Sequence, residues 1–314
     1  KEKINSKFAY WFYYDLYKKE IFNAIGSGVR STLSSSDLLE IILPIPPLEE
    51  QKLISRYLDK KTEQIDRLVE KIQKKIELLK EQKTAFINQY VTKGLDEDVE
   101  MKNSGVEWIG ETPKNWEIIK IKHLSFVRRG SSPRPIDDPK YFDEDGEFSW
   151  VRISDVSSSG KYLLKTTQRL SDLGSSLSTP MEIGDLFLSI AGSVGKPIIT
   201  KIKCCIHDGF VWFDDISVNR DYLFYIFLCG SCFTGLGKMG TQLNLNTDTV
   251  GQIKIPFPKL NLQKKIVEQL ELNLEVIDKL IVKSLNKLNL LREYRQSLIS
   301  SVVTGKIRIT DDML

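Results

Sequence analysis

Long apolar runs are missing from this sequence, and cysteine and histidine are scarce. No stretch reaches the ~18 apolar residues that a bilayer-spanning helix needs, which argues against a membrane protein. Four cysteines in 314 residues do not make a disulfide framework and favour a reducing, cytoplasmic setting. Charge of one sign is not dominant either, because 45 basic residues face 42 acidic ones. Any charged surface must therefore come from local clustering.

What the sequence does contain is a unit that occurs twice. Residues 43–54 and 255–266 each lead from a proline-rich hinge into a heptad pattern, and Gln51 corresponds to Gln263 at an offset of 212 (263 minus 51). A repeat this long predicts two globular modules with a two-fold relation rather than a solenoid. The match runs from the first residues to about Gly94, whereas 103–213 has no earlier counterpart. We expect a stretch equivalent to 104–214 to precede Lys1.

The alignment of the two copies extends upstream of the hinges. At the same offset, the aromatic residues Tyr10, Phe12 and Tyr13 correspond to Tyr222, Phe224 and Tyr225. Gly26 aligns better with Gly240, which is 214 residues away, so the alignment of the two copies contains one small gap. These equivalences predict that the first forty-six residues repeat the last part of a later domain.

Heptad patterns follow both hinges, and a period of 3.5 residues is typical of a coiled coil. Helices of ~45 residues would be about 67 Å long. Since a domain separates them, the chain can return, and we predict an antiparallel pair within one chain. The alternatives are that each helix packs on its own domain or forms an oligomer. Ser284 and Arg295 interrupt the seam, whose apolar members are Leu58, Ile65, Ile72, Leu79, Phe86, Leu270, Ile277, Leu291 and Leu298.

The predicted fold class is mixed α/β (α+β) with these two long helices. We predict strands at 116–121, 148–153, 185–190, 197–201 and 209–213, a buried helix at 221–228 and a closing strand at 250–257. Gly94 and Gly305 suit helix C-caps. The domains are then 1–47, the end of a first α/β domain; 48–94, the first helix; 95–258, a complete α/β domain; and 259–314, the second helix with a tail.

Four features together resemble one family, the specificity subunits of type I restriction-modification systems. They are the doubled Pro-x-Pro-x-Leu-x-x-Gln-x-x-Ile hinge with its helix (the fourth position is Pro47 in the first copy), 108–117 (WIGETPKNWE), 183–189 (IGDLFLS) and 240–245 (GTQLNL). Each motif alone is weak evidence for the family. Their order and the repetition of the hinge and helix make the match specific, and the resemblance covers essentially the whole chain. With respect to that family, most of the first target-recognition domain is missing.

The resemblance implies a non-catalytic DNA-reading subunit in bacterial defence. Two target-recognition domains would each read half of a bipartite site, and the antiparallel helices would set the spacer. The subunit would dock two modification subunits, which bring S-adenosylmethionine and adenine methylation, and through them the restriction subunits. No cofactor is expected on this chain itself.

Two other functions compete with this interpretation. One is a coiled-coil scaffold that binds only protein. The other is a stand-alone methyltransferase or nuclease, for which the sequence offers no Asn-Pro-Pro-aromatic motif, no glycine-rich cofactor loop after a strand and no helicase signature.

Candidate DNA contacts begin with a basic segment, since 114–134 holds six basic residues and one acid. Arginine, serine, asparagine and glutamine can bond to phosphates or base edges, although basic runs are often plain solvated loops. The candidates are Arg128, Arg129, Ser131, Ser132 and Arg134 in a turn; Arg152, Ser154 and Asp155 at the end of a strand; Lys196; Lys238, Gln242 and Asn244; and Arg30 in the partial domain.

Three other motifs do not predict chemistry. Residues 192–196 are not a phosphate-binding loop, because Ile190 stands where glycine is needed and Pro197 follows the lysine. The four cysteines favour burial over a zinc site, since adjacent Cys204 and Cys205 would point to opposite faces of a strand. His207 and Asp208 lack a nucleophile partner and favour a structural or DNA-contacting role.

Overall fold

The computed structural model describes residues 4–25, 34, 36–37, 40–96, 98–236 and 245–314. These residues form two compact units, Lys1–Lys80 with Ile277–Leu314 (unit 1) and Glu81–Val276 (unit 2). The helices are α1 Ser6–Lys18, α2 Ile21–Ile25, α3 Leu48–Lys93, α4 Ile153–Ser158, α5 Asp172–Ser176, α6 Arg220–Leu228, α7 Thr247–Gln252 and α8 Leu260–Val303. The predicted mixed α/β fold with two long helices is confirmed.

Thirteen short strands are described, all of them in unit 2. They are β1 Met101–Asn103, β2 Glu111–Pro113, β3 Glu117–Lys120, β4 Phe126–Arg129, β5 Phe148–Val151, β6 Tyr162–Leu163, β7 Gln168–Leu170, β8 Thr179–Met181, β9 Leu186–Ser189, β10 Pro197–Thr200, β11 Cys204–Ile206, β12 Phe210–Asp214 and β13 Lys254–Phe257. The five strands predicted up to residue 213 correspond to β3, β5, β9, β10 and β12. The closing strand predicted at 250–257 is wrong in its first half, because α7 continues to Gln252 and β13 begins at Lys254.

The long helices α3 and α8 pair antiparallel, as the heptads predict. In unit 1, Ile65 shares a core cluster with Leu298, and Ile72 packs with Leu288. In unit 2, the Asn273 side chain donates to the Tyr90 hydroxyl at 2.9 Å. Residue numbers therefore rise along α3 as they fall along α8. Of the nine seam residues, Phe86 and Leu291 are half-buried and the other seven are buried.

Arg295, which interrupts the seam, has a specific set of polar partners in unit 1. Its guanidinium donates to both carboxylate oxygens of Asp66, at 2.8 and 3.0 Å, and to the Tyr14 hydroxyl at 3.0 Å. A polar group at a coiled-coil seam can specify register when its hydrogen bonds are satisfied. The interruption therefore couples α1, α3 and α8 in one register.

Unit 2 has a layered core around two sheets. The five-stranded sheet has the order β4-β12-β9-β10-β6 and the four-stranded sheet the order β7-β5-β11-β8. Alternate side chains of each strand point to opposite faces, so Phe187 packs between the two sheets while Leu186 and Leu188 pack with α6. The same cluster includes the end of α3 and the start of α8, so the two long helices support this domain.

A buried glutamine closes each hinge. The contacts of these two glutamines show which residues upstream of the hinges are equivalent in the two copies. The Gln51 side chain accepts from the Asn5 backbone N–H at 2.7 Å and donates to the Pro46 carbonyl at 2.8 Å. Gln263 does the same with Asn219 and Pro258, at 2.8 and 2.7 Å. Asn5 and Asn219 are both helix N-caps and lie 214 residues apart (219 minus 5).

The helices α1 and α6 are therefore offset by 214, not 212, and the predicted pairing of Tyr10, Phe12 and Tyr13 with Tyr222, Phe224 and Tyr225 is wrong by two residues. Burial agrees: Tyr10 is 57% exposed, whereas Phe8 and Tyr222 are both fully buried. The predicted pairing of Gly26 with Gly240 has the same offset of 214, and both glycines lie outside the described residues.

Both long helices end at a left-handed glycine, as predicted. Gly94 has φ +81° and Gly305 has φ +74°, a conformation that favours glycine at a helix C-terminus. In the part of the chain that the structure describes, no helix is both long and apolar enough to cross a membrane.

Candidate nucleic-acid interface

Three loops and the short helix α4 of unit 2 meet at one end of its two sheets. β5 and β11 are parallel neighbours and finish at the same edge, and β12 begins there beside the ends of β4 and β9, with which it pairs antiparallel. Backbone bonds join the loops, from the Gly130 N–H to the Phe210 carbonyl at 3.0 Å and from Ile190 to Gly209 at 2.8 Å. We call 130–137, 152–158, 190–196 and 207–209 the loop end.

Asp208 organises the basic turn at the loop end. Its carboxylate accepts from Arg134 Nη2 at 2.7 Å and from Ser132 Oγ at 3.3 Å, and its carbonyl accepts from Arg129 Nε at 2.7 Å. Ser131 bonds instead to Thr179, between their hydroxyls, at 2.9 Å. The structure thus brings Arg129, Ser132 and Arg134 together around Asp208, a residue for which the sequence favoured a structural or DNA-contacting role.

Arg128 and Arg129 are the last two residues of β4 and do not lie in the turn predicted for them. Arg128 lies apart from Arg129, because consecutive residues of β4 point to opposite faces. Its Nε donates to Asp214 at 2.8 Å, and its guanidinium lies 5.8 Å from the Phe126 ring centre. Arg128 and Phe126 line an open pocket of about 390 Å³ with Lys122 and Gln252. The two neighbouring arginines of the basic segment therefore cannot act as one contact.

Arg152, Ser154 and Asp155 do not end a strand as predicted, because β5 stops at Val151 and α4 begins at Ile153. Arg152 is the N-cap; its side chain bonds to Gln168 and, at 3.1 Å, to Asp137. The Asp155 carboxylate is buried and accepts the Arg152 backbone N–H at 2.9 Å. Asp155 is thus a capping residue, and its burial removes it from the DNA contacts that we expect. Ser154 is exposed.

Lys196 ties two loops together. Its ammonium donates to the carbonyls of Ser157 and Ser159 at 2.9 and 2.7 Å, and the hydroxyls of Ser157 and Ser193 lie 2.6 Å apart. Burial lowers the pKa of Lys196. Its position favours a role in holding the loop end together over one as a free cation.

Four candidates lie outside the described residues. They are Arg30, Lys238, Gln242 and Asn244. Their predicted DNA contacts stay predictions.

The cysteines and His207 contribute packing rather than exposed chemistry. Cys204 and Cys205 point to opposite faces of β11, into separate clusters, and burial raises the pKa of both thiols to about 12. The His207 ring lies 4.7 Å from the Phe210 ring, and its Nδ1 accepts from the Gly209 N–H at 2.9 Å. Burial lowers the pKa of His207, so the ring is neutral at pH 7 and shapes the turn that carries Asp208.

A family model described as "Type I restriction modification DNA specificity domain" matches residues 1–78 and 113–290. The chain belongs to this type I DNA specificity family. The resemblance found in the motifs is therefore confirmed.

Individual specificity subunits show the same similarity. The chain is 28% identical over 320 residues to the type I restriction enzyme MjaVIII specificity subunit of Methanocaldococcus jannaschii, covering 95% of this chain and 70% of that protein. It is 24% identical over 337 residues to the EcoBI specificity subunit of Escherichia coli, covering 98% and 66%.

Two solved structures show the same fold. One belongs to a study of complex assembly and conformational transition of the type I R-M system, with a TM-score of 0.76, 17% identity and coverage of 96% of this chain and 71% of that one. The other is the HsdS subunit from Thermoanaerobacter tengcongensis, with a TM-score of 0.56, 17% identity and coverage of 97% and 71%. At these identities the likeness concerns the fold alone.

Gly130 allows the basic turn of this specificity-family chain to approach the 207–209 loop. A Cβ there would lie 2.3 Å from the His207 carbonyl oxygen, which is backbone and cannot swing aside. We expect Gly130→Ala to lower the free energy of unfolding by about 2–3 kcal/mol, as overpacking does. Urea unfolding measures this, with Gly160→Ala as the matched control, because a Cβ at 160 meets nothing within 4 Å. Equal midpoints for the two variants would contradict the close approach.

Proposed function

We propose that this chain is the DNA-reading, non-catalytic subunit of a type I restriction-modification complex, and that the loop end of unit 2 reads one half of a bipartite site. The observation that carries the proposal is the cluster of Arg129, Ser132 and Arg134 around Asp208. Arginine and serine are groups that bind phosphates and base edges. The family membership of the chain supports the same function.

The loop end is suited to approach a duplex. Arg129 and Arg134 are exposed, so donors that do not bond to Asp208 face outward. The turn between them is anchored at Gly130 and Asp208 instead of being a free basic loop. A held guanidinium loses less conformational entropy on binding than a free one, which favours recognition over a diffuse charge effect.

We also propose that the antiparallel helix pair sets the spacer between two half-sites. α3 has 46 residues and α8 has 44, and both exceed the roughly 34 Å of one DNA turn at about 1.5 Å per residue. The repeated glutamine closure of each hinge supports this function, since it fixes the end of each reading module to the start of a long helix.

Methyl transfer and cleavage are assigned to partner subunits. The specificity subunit docks modification subunits, two in our proposal, and these bring S-adenosylmethionine and adenine methylation; restriction subunits join through them. The chain itself binds no cofactor in this proposal. Methyl transfer from S-adenosylmethionine by the purified chain alone would overturn this division of labour.

The competing function is a coiled-coil scaffold that binds only protein. DNA binding as a function of salt separates the two. We expect the chain with its modification subunits to retain a duplex that carries the motif methylated in cells with the intact system. Affinity for this duplex should exceed that for a scrambled one and fall steeply as salt rises, because released counterions drive binding. No binding, or binding that salt does not change, would favour the scaffold.

A further inference from the structure

We propose that Asp208 is a specificity-determining positioning residue, which orients Arg134 and the basic turn for base reading while reducing their general attraction to phosphates. This inference rests on the proposed DNA-reading function and deepens it. An acidic residue at the centre of a DNA-facing basic cluster lowers the affinity for any polyanion, because it repels the phosphates. The contacts of Asp208 indicate that it also orients the basic side chains.

Asp208 contacts the turn at three separate places. The carboxylate oxygens accept separately from Arg134 and Ser132, at 2.7 and 3.3 Å, while the main-chain carbonyl accepts from Arg129. These partners are 74 to 79 residues away in sequence, so local chain geometry does not place them. A single residue therefore defines the orientation of both arginines.

The loop that carries Asp208 is itself held in place. The His207 ring packs against Phe210 and accepts the Gly209 N–H, and Asp208 lies two residues after Ile206, the buried last residue of β11. The Asp208 side chain is 35% exposed, whereas the Arg134 side chain is 68% exposed. Asp208 is thus half-buried, and the arginine that it contacts is more open to solvent.

The Arg134 guanidinium donates from Nη2 to Asp208, and this bond restricts the directions in which its other N–H groups point. Guanidinium reads guanine through two parallel bonds to O6 and N7, and this geometry tolerates little rotation. Without the carboxylate, Arg134 would sample many rotamers and bind phosphates of any sequence. Asp208 then favours specific over non-specific DNA binding in two ways: it orients the Arg134 guanidinium, and its negative charge weakens the attraction to phosphates.

The variant Asp208→Asn tests the proposal, since it keeps the shape and the main-chain bond to Arg129 but removes the ion pair. The probes are the duplex with the motif methylated in cells that carry the intact system and a scrambled duplex, both with the chain and its modification subunits. We expect affinity for the scrambled duplex to rise about threefold, the effect of removing one charge about 7 Å away in water. The ratio of the two affinities should fall about tenfold, the cost of one lost base contact.

Glu147→Gln is the matched control. Glu147 pairs with Lys203 at 2.6 Å, and both precede the strands, β5 and β11, whose far ends carry the site. The same loss of one carboxylate there should leave the ratio of affinities unchanged. An equal fall in Glu147→Gln would show a general charge effect and overturn the role of Asp208.

A double-mutant cycle shows whether Asp208 acts through Arg134. If it does, Asp208→Asn should change the ratio little once Arg134→Gln is present. Arg134→Gln is also the second variant, because an exposed side chain can be changed without unfolding the domain. Additive losses would overturn the proposal, as would equal weakening of both duplexes, which a purely structural residue would cause.

The affinities for the two duplexes distinguish a failure of the Asp208 proposal from a failure of the proposed DNA-reading function. Wild-type complex that does not distinguish the two duplexes would overturn both. Wild-type complex that distinguishes them, with an Asp208→Asn variant that does so equally well, would overturn only the role of Asp208.

Discussion

Replacing Arg129 and Arg134 together by alanine should lower the affinity for the bipartite duplex about a hundredfold or more. Each arginine contact to a base or phosphate contributes about 1–3 kcal/mol, and both side chains are exposed, so the fold should stay intact. The slope of log affinity against log salt should fall by roughly two, since each phosphate contact contributes about 0.9. Fluorescence anisotropy over a salt series measures both quantities.

The double variant Lys201→Ala, Lys203→Ala is the matched control. It removes the same charge from the opposite end of β11, where both lysines are exposed. We expect it to bind the duplex within a few-fold of the wild type. Comparable losses in the two double variants would mean that overall charge, and not the loop end, determines binding.

Replacing Gln263 by alanine should lower the free energy of unfolding by about 3–5 kcal/mol. Gln263 is fully buried, and its removal leaves the Asn219 N–H and the Pro258 carbonyl without the partners that it provides. Each buried polar group left unsatisfied costs about 1–3 kcal/mol, and the vacated volume adds to the loss. Chemical denaturation checks the value.

Gln89→Ala on α3 is the control for that change. Its side chain is exposed, and surface substitutions of this kind stay within about 0.5 kcal/mol. The repeat supplies a second test, because Gln51→Ala should destabilise unit 1 by a similar amount. A Gln263→Ala chain as stable as the control would show that water replaces the glutamine.

The long helices and most strands were predictable because their signals are local. Hydrophobic residues at a 3.5-residue period define the seam of α3 and α8, and short apolar runs between turn residues define β5, β9, β10 and β12. The start of the closing strand was harder to predict. Val250 is buried in α7, and an apolar residue at 250 is equally typical of a strand. Burial alone does not distinguish the two over so short a segment.

The candidate site was only partly predictable. The local composition identified the basic segment 128–134. The sequence could not show that Arg128 and Arg129 lie in β4 and point to opposite faces of its sheet. Asp155 looked like a polar group beside a strand and proved to be a buried helix cap. The contacts of Asp208 with Arg129, Ser132 and Arg134 could not be predicted from the sequence, since only strand pairing brings these residues to it.

The sequence by itself determined the frame of this protein. Repeated hinges, heptads and the two glutamines predict two modules joined to an antiparallel helix pair, because periodicity and repetition depend on neighbours along the chain. Only the tertiary structure decided which residues of α1 and α6 are equivalent, since Gln51 and Gln263 identify Asn5 and Asn219 through contacts across the fold. It also decided which polar residues lie together in the candidate site. Three loops and helix α4, distant in sequence, meet at one end of two sheets, and the direction of each side chain there depends on strand pairing.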